Sequence, residues 1–287
     1  MNINNIIDYL VKQAHDYNIV GEYNGDIEGF SSLNNYKKKT ITWIKKKENY
    51  DGKAIDICVS NEEIDGDIKC QIIVENSKGI FFEIIENIFT TKQPKEQIGQ
   101  NTYIDSNIII PKSSIIGCNC VLKGNICIGE NVEIADNVTI LNSVNIGNDV
   151  KIQSNTVIGE DGFSYSEDEN HNKTMIKHYG SVEIEDNVNI GSNCSIARGT
   201  IDATVIRKGS KIDNLCHIAH NVEIGENTTL IAGSIIYGSV KLGKNNYVAS
   251  GIVRNQCELG DNVTVGMGSV VVENIDANKT VKGIPAK

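Results

Sequence analysis

From Ile104 to Ile158 an aliphatic residue falls on every sixth position: Ile104, Ile110, Ile116, Leu122, Ile128, Ile134, Ile140, Ile146, Ile152 and Ile158. Gly often follows the anchor, as at Gly117, Gly129, Gly147 and Gly159. A helix asks for apolar residues three or four apart and a lone strand for every second one. One anchor in six predicts hexapeptide repeats of a parallel β-helix, in which each unit supplies a flat side and a corner and three units close a triangular coil. Stacked coils then carry the anchors inside and set Gly, Asn and Asp at the corners, where positive φ is needed. After Ile158 the rhythm breaks in Gly159-Glu160-Asp161-Gly162-Phe163-Ser164-Tyr165, and a polar segment runs to about Gly180. An external loop is therefore expected at about 161–180, and such excursions lie on the binding face of a solenoid. Anchors resume at Ile184, Ile190 and Ile196, slip between Arg198 and Val205, and continue as Ile206, Ile212, Ile218, Ile224, Leu230, Ile236, Leu242 and Val248. One shortened unit moves the register to Val253, Leu259, Val265 and Val271. With each anchor contributing roughly 1.5–3 kcal/mol when buried, apolar stacking outweighs surface ion pairing as the source of the solenoid's stability.

The first third of the chain has other periods. Ile3, Ile6, Ile7, Leu10, Val11 and Ala14 follow helical spacing, as do Ile80, Phe81, Ile84, Ile85, Ile88 and Phe89. Between these amphipathic helices, strands are predicted at Thr40 to Ile44, Ile55 to Val59 and Gln71 to Val74, separated by charged, Asn- or Gly-containing turns. The fold class is thus mainly β, a parallel β-helix over 99–287 behind a small α/β domain over 1–98, with Thr91 to Gln100 as the polar link.

Composition narrows the partners. A formal net charge of -10 over 287 residues argues against nucleic acid or an anionic membrane. No apolar run approaches a transmembrane span, and Met1-Asn2-Ile3-Asn4-Asn5 lacks the basic start and apolar core of a secretion signal, which predicts a cytoplasmic protein. The eight cysteines are scattered, as free thiols of a reducing compartment would be. Cys118 and Cys120 form a C-x-C, but alternate residues of a flat side face opposite ways, so one thiol is expected in the core and the other at the surface.

Chemistry concentrates at Lys211-Ile212-Asp213-Asn214-Leu215-Cys216-His217-Ile218-Ala219-His220-Asn221-Val222. Ile212 and Ile218 are anchors, so His220 and Asn221 are expected at an exposed corner. An imidazole titrating near pH ~6.5 suits His220 to general-base work, and Asp213 could lie one side back and orient it. Two solvated histidines would satisfy the same spacing. A three-histidine metal site would need a further ligand beside His217 and His220, and His15, His171 and His178 are not on a neighbouring rung at a suitable spacing; no metal is expected. In the first domain Trp43 is followed by Lys45-Lys46-Lys47 and Tyr50, which fits a core Trp beside a basic loop or a nucleobase stacked on aromatic rings with lysines near its phosphates.

Several runs together resemble the UDP-3-O-(3-hydroxyacyl)glucosamine N-acyltransferase family of lipid A biosynthesis, within the hexapeptide-repeat acyltransferases. They are Ile158 to Tyr165, Ile212-Asp213-Asn214, Ile218 to Thr228, Ala232-Gly233, Gly238 to Gly243 and Asp261 to Gly268. The likeness reaches the first domain through Gly29-Phe30-Ser31-Ser32-Leu33 and the Thr42-Trp43 to Tyr50 segment, where that family stacks uracil between aromatics. The resemblance implies a homotrimer of left-handed coils, against the usual right-handed crossover of parallel strands, with active sites between neighbouring subunits. It implies His220 as catalytic base, Asp213 as its orienting partner and the Gly238 N–H as oxyanion donor. Trp43, Tyr50, Asp161, Phe163, Tyr165, His217 and Asn221 become candidate substrate contacts. The substrates implied are a nucleotide-activated amino sugar and an acyl thioester, with no tightly bound cofactor.

Three features depart from the family. Arg254-Asn255-Gln256-Cys257 stands where the family carries another histidine. The chain stops at Gly283-Ile284-Pro285-Ala286-Lys287, a finish similar to coenzyme A-dependent sugar acetyltransferases, in place of helices that recognise acyl carrier protein. Ser166 to Lys177 is polar, with little apolar material for a fatty chain. These favour a short acyl group on coenzyme A over a hydroxyacyl chain on acyl carrier protein. From a different class, a non-catalytic nucleotide-sugar-binding scaffold would keep the fold, though the retained His220 and Asp213 speak against it.

Overall fold

A computed structural model describes residues 1–90 and 96–287, and Thr91 to Lys95 of the expected link lie outside the described residues. The chain divides into two compact units, Met1–Pro94 and Lys95–Lys287. Ile98 already pairs in parallel with Ile116, so the second half of the expected link belongs to the first coil and the aliphatic rhythm starts one unit earlier than Ile104.

In the first unit a five-stranded sheet runs Asn18–Gly21, Ile68–Ile73, Ile55–Ser60, Thr40–Trp43, Gly29–Phe30 in spatial order. Only the pair Asn18–Gly21 with Ile68–Ile73 is antiparallel; the other pairs are parallel. The central strand Ile55–Ser60 is buried at every residue, which is why it reads as a near-continuous apolar run. The helix Ile3–Lys12 buries Ile6 and Leu10, while Ser77–Ile84 packs Ile80, Phe81 and Ile84 into the same core. The second expected helix changes pitch after Ile84 and finishes as a π-turn over Ile85–Phe89. The strands at 18–21 and 29–30 carry little alternation and escaped the sequence pattern.

The second unit is a three-sided parallel solenoid. On the first face the anchors pair in the order Ile104, Leu122, Ile140, Ile158, Ile196, Ile218, Ile236, Val253, Val271. On the second they run Ile128, Ile146, Ile184, Ile206, Ile224, Leu242, Leu259. The third face stacks Ile116, Ile134, Ile152, Ile190, Ile212, Leu230, Val248, Val265, Val281. Most of these side chains are fully buried in one continuous cluster. Cys120 is buried and Cys118 half-buried, but not by strand alternation, under which residues two apart share a face: the two flank the turn residue Asn119, whose φ is 55°. Among the described residues no helix is long and apolar enough to cross a membrane.

The corners differ from expectation in an instructive way. Positive φ falls mainly on Asn, at 101, 119, 131, 137, 155, 187, 193, 221, 227, 245 and 262, whose short amide tolerates the left-handed region. The Gly that follows an anchor serves another purpose: a Cβ at Gly117 would lie 2.5 Å from an Asp136 carboxylate oxygen and 2.6 Å from the Ala135 carbonyl carbon. Gly117, Gly129 and Gly147 permit the next coil to approach without unusual backbone angles, whereas Gly159, at the start of the excursion, takes a φ of 89°.

Both insertions into the rhythm fall at one place, the edge between the first and second faces, whereas the shortened unit from Val248 to Val253 joins the third face to the first. The longer one leaves after Ile158 and returns before Ile184; the shorter one, Arg198 to Ala203, lies on the next coil. They tie to each other through Tyr179 N–H to Thr200 O (2.8 Å), Gly180 N–H to Gly199 O (3.0 Å) and the buried Arg198 side chain, whose Nε donates to Gly180 O at 2.8 Å. Outside them stands a hairpin, Tyr165–Glu167 antiparallel to Lys173–Met175.

Candidate active site

The edge that carries the interruptions also carries a cleft of about 540 Å³, and the periodicity explains its lining. Residues just past each first-face anchor reach the same edge on successive coils: Asp161 and Phe163 after Ile158, His220 after Ile218, Gly238 after Ile236, and Arg254 with Gln256 after Val253. His217, on the strand beside Ile218, faces the same space. Phe163 is 84% exposed and meets the Tyr165 ring at a centroid distance of 4.9 Å.

His220 and Asn221 are half-buried rather than exposed at a corner, because the returning excursion lies over them. The His220 Nδ1 is 3.0 Å from Asn221 Oδ1. That oxygen also accepts the Thr200 backbone N–H at 3.1 Å, so it is the carbonyl end of the amide and His220 Nδ1 must be the donor. The Asn221 amide is fixed in turn by its own backbone N–H, which donates to Thr204 Oγ1 at 2.9 Å. The resulting tautomer leaves His220 Nε2 with a free lone pair, the state a general base requires. A Cβ at Gly238 would fall 2.8 Å from His220 Cε1 and 2.9 Å from Nε2, so only glycine leaves room for the imidazole. Burial pushes the His217 imidazole below its ordinary pKa, which keeps it neutral beside His220.

Asp213 does not meet His220 within the chain. It follows Ile212 on the third face, at a different edge of the prism, where its carboxylate accepts the N–H groups of Asn214 (2.7 Å) and Ala232 (3.2 Å) and lines a separate cleft. The partner that orients His220 within one chain is Asn221, which the sequence suggested only as a substrate contact. His178 is the residue the spacing hid: it is fully buried, with its ring 5.3 Å from that of His220. It sits at the end of a long excursion whose return path the sixfold count does not fix. Among the described residues no group of three or more His, Cys, Asp and Glu side chains is arranged to hold a metal ion.

In the first unit Trp43 lines a second cleft of about 560 Å³ with Phe30, Phe82, Leu33, Lys45 and Asn49. Its indole N–H donates to Ser77 Oγ at 3.0 Å, which fixes the ring plane. Tyr50 is not part of that lining. It packs against Ile44, Ile55, Cys58 and Ile64, and its hydroxyl donates to the Lys53 carbonyl at 2.8 Å. The second aromatic wall comes from Phe30 and Phe82, 49% and 53% exposed. Lys47 is held by Asp65 at 2.7 Å, leaving Lys45 as the lysine of the cleft.

No protein-family model matches the chain. Curated relatives do. A UDP-3-O-acylglucosamine N-acyltransferase of Campylobacter lari is 38% identical over 130 residues, 45% of this chain and 41% of that protein. The protein of the same name from Methylococcus capsulatus is 41% identical over 126 residues, 44% of this chain and 34% of its own length. The matches therefore span about two fifths or less of these relatives. Among solved structures, the UDP-N-acetylglucosamine O-acyltransferase of Moraxella catarrhalis superimposes with a TM-score of 0.60 at 25% identity, covering 67% of this chain and 73% of that one. The UDP-N-acetylglucosamine acyltransferase of Francisella novicida gives 0.60 at 26%, covering 66% and 67%. The class follows: the second unit is a left-handed parallel β-helix of hexapeptide repeats. Within that class, the chain resembles the UDP-3-O-acylglucosamine N-acyltransferases, the likeness its motifs carry.

Proposed function

We propose that the protein is an N-acyltransferase that moves an acyl group from a thioester to the amine of a nucleotide-activated amino sugar. The observation that carries this reading is His220, held as a one-sided base by Asn221 and Thr200 and pressed against Gly238 in the cleft. In the proposed step the sugar amine attacks the thioester carbonyl carbon and forms the C–N bond, while His220 Nε2 takes a proton from that nitrogen. The Gly238 N–H meets the charge that develops on the carbonyl oxygen. The C–S bond then breaks, and the imidazolium returns the proton to the departing thiolate. Nitrogen is preferred over oxygen as the acceptor atom because the relatives similar in sequence are named as N-acyltransferases, at 38% and 41% identity.

The nucleobase is assigned to the cleft of Trp43, Phe30 and Phe82, with Lys45 available to its phosphates. As donor we favour a short acyl group on coenzyme A, supported by the polar wall of Arg254, Asn255 and Gln256. A homotrimer with its clefts between subunits completes the reading, and in it Asp213 would act across the interface. Transfer measured with acetyl-CoA and with a hydroxyacyl carrier protein, using UDP-linked amino sugars as acceptors, tests the proposal. Turnover with acetyl-CoA supports it, turnover with the carrier protein alone rejects the donor, and no transfer from either rejects the activity.

A further inference from the structure

His178 has no part in the proposed step, yet it is built into the site. A methyl group placed on Gly162 would lie 2.9 Å from Cβ and Cδ2 of His220 and 3.1 Å from Nε2 of His178, so the two histidines flank one bare α-carbon in the cleft wall. Their rings meet edge to face at 73°. His178 Nδ1 is 3.0 Å from the Ile176 carbonyl oxygen, which can only accept, so Nδ1 carries a proton and the tautomer this selects has its lone pair at Nε2. That Nε2 is buried with no hydrogen-bond partner among the described residues. An unsatisfied buried acceptor costs stability, and such a cost retained beside a functional group points to a use. The charged and titratable groups near it are His220, Asp161, whose carboxylate accepts the His178 backbone N–H at 3.4 Å, and Arg198, 4.0 Å from Asp161.

We propose that His178 is a positioning residue for His220: its ring fixes the plane of the His220 imidazole, and its Nε2 lone pair favours the imidazolium that forms when the amine is deprotonated. His178 exchanges no proton in the step; its negative dipole end stabilises a positive charge on its neighbour, where low local polarity strengthens the interaction. The kinetic arm of the test rests on the acyltransfer reading, and a second arm does not.

Two variants separate this role from packing. His178→Phe keeps a flat ring and removes the lone pair, whereas His178→Gln keeps an acceptor oxygen. His178→Phe is expected to lower kcat about tenfold, within the scale of acid–base catalysis, with the KM for the nucleotide sugar unchanged and the thermal transition equal or higher. His178→Gln is expected to recover most of kcat. Retention of kcat by the Phe variant, or equal losses in both variants together with a lower Tm, would overturn the proposal. Independently of any substrate, ¹⁵N NMR of the imidazoles should show His178 protonated at Nδ1 and bare at Nε2, with the His220 tautomer becoming mixed in His178→Phe. The opposite His178 tautomer, or an unaltered His220, would overturn it even if transfer is never observed.

Discussion

Between Val121 and Ile146 the edge joining the first and second faces is closed by two eight-residue strands that run around the corner in register, whereas from Glu160 onward the same edge opens into the His220 cleft. In the closed half Gly124 and Asn142 take positive φ so that one strand can serve two faces, and every coil adds eighteen residues. In the open half the step from Ile158 to Ile196 is thirty-eight residues and the next, to Ile218, twenty-two. Interior anchors are alike in both halves, so the column does not distinguish them. What differs is the polar content of the edge: buried His178 and buried Arg198 lie on the two insertions, and His178 packs against a half-buried His220 that itself stands on a regular six-residue unit. Stability comes from the repeat, and the cleft opens at the edge where the insertions leave it.

The sharpest way to break that contrast is His220→Ala. Transfer is expected to fall by about 10²–10⁴-fold with the folding transition little changed, measured by steady-state rates and thermal melting. An unchanged rate would remove the open edge from the mechanism. Ile140→Ala, in the closed half, should do the reverse: a loss of about 2–4 kcal/mol in unfolding free energy, from lost transfer energy and the cavity left behind, read by denaturant titration. If it unfolds no more easily than the native protein, the aliphatic column does not hold the solenoid. Asn221→Ala should cost about tenfold in kcat by freeing the His220 ring. Asp213→Asn, in contrast, should matter only if a neighbouring subunit supplies it, so an intact rate in a trimer would remove Asp213 from the site.

The smallest effect concerns pH. Burial lowers the His217 pKa in the fold below its unfolded value, so the folded state resists taking up that proton. The stability is present above the unfolded value of ~6.5 and is lost as pH falls through the lower folded value. His217→Gln should flatten that part of the melting temperature against pH curve, and an equal slope in both proteins would contradict the assignment.

The sequence made the solenoid legible because its constraint is one-dimensional: an interior column repeats at a fixed count, and from Ile116 to Val271 the anchors sit in ladders. It brought His220 and Gly238 to one cleft edge for the same reason, since both keep their distance from Ile218 and Ile236. Asp213 lies one side back from His220, as the six-residue count placed it, but at an edge of the prism too far round to meet His220 within one chain. His178 could not be found by counting, because the path of the hairpin decides where it returns. Tyr50 turned inward for a local reason: the bare Gly66 leaves room for its ring, and a Cβ there would be 2.2 Å from Tyr50 Cε1. The excursion also looked more polar than it is, because Phe163, Tyr165, Met175 and Ile176 are dispersed in sequence but all exposed on the fold.

The most direct measurement is a structure of the protein with a UDP-linked amino sugar bound. The sugar amine is expected within about 3 Å of His220 Nε2, the reach a general base needs. An amine held at any other edge of the prism, with the His220 cleft left to solvent, would contradict the account.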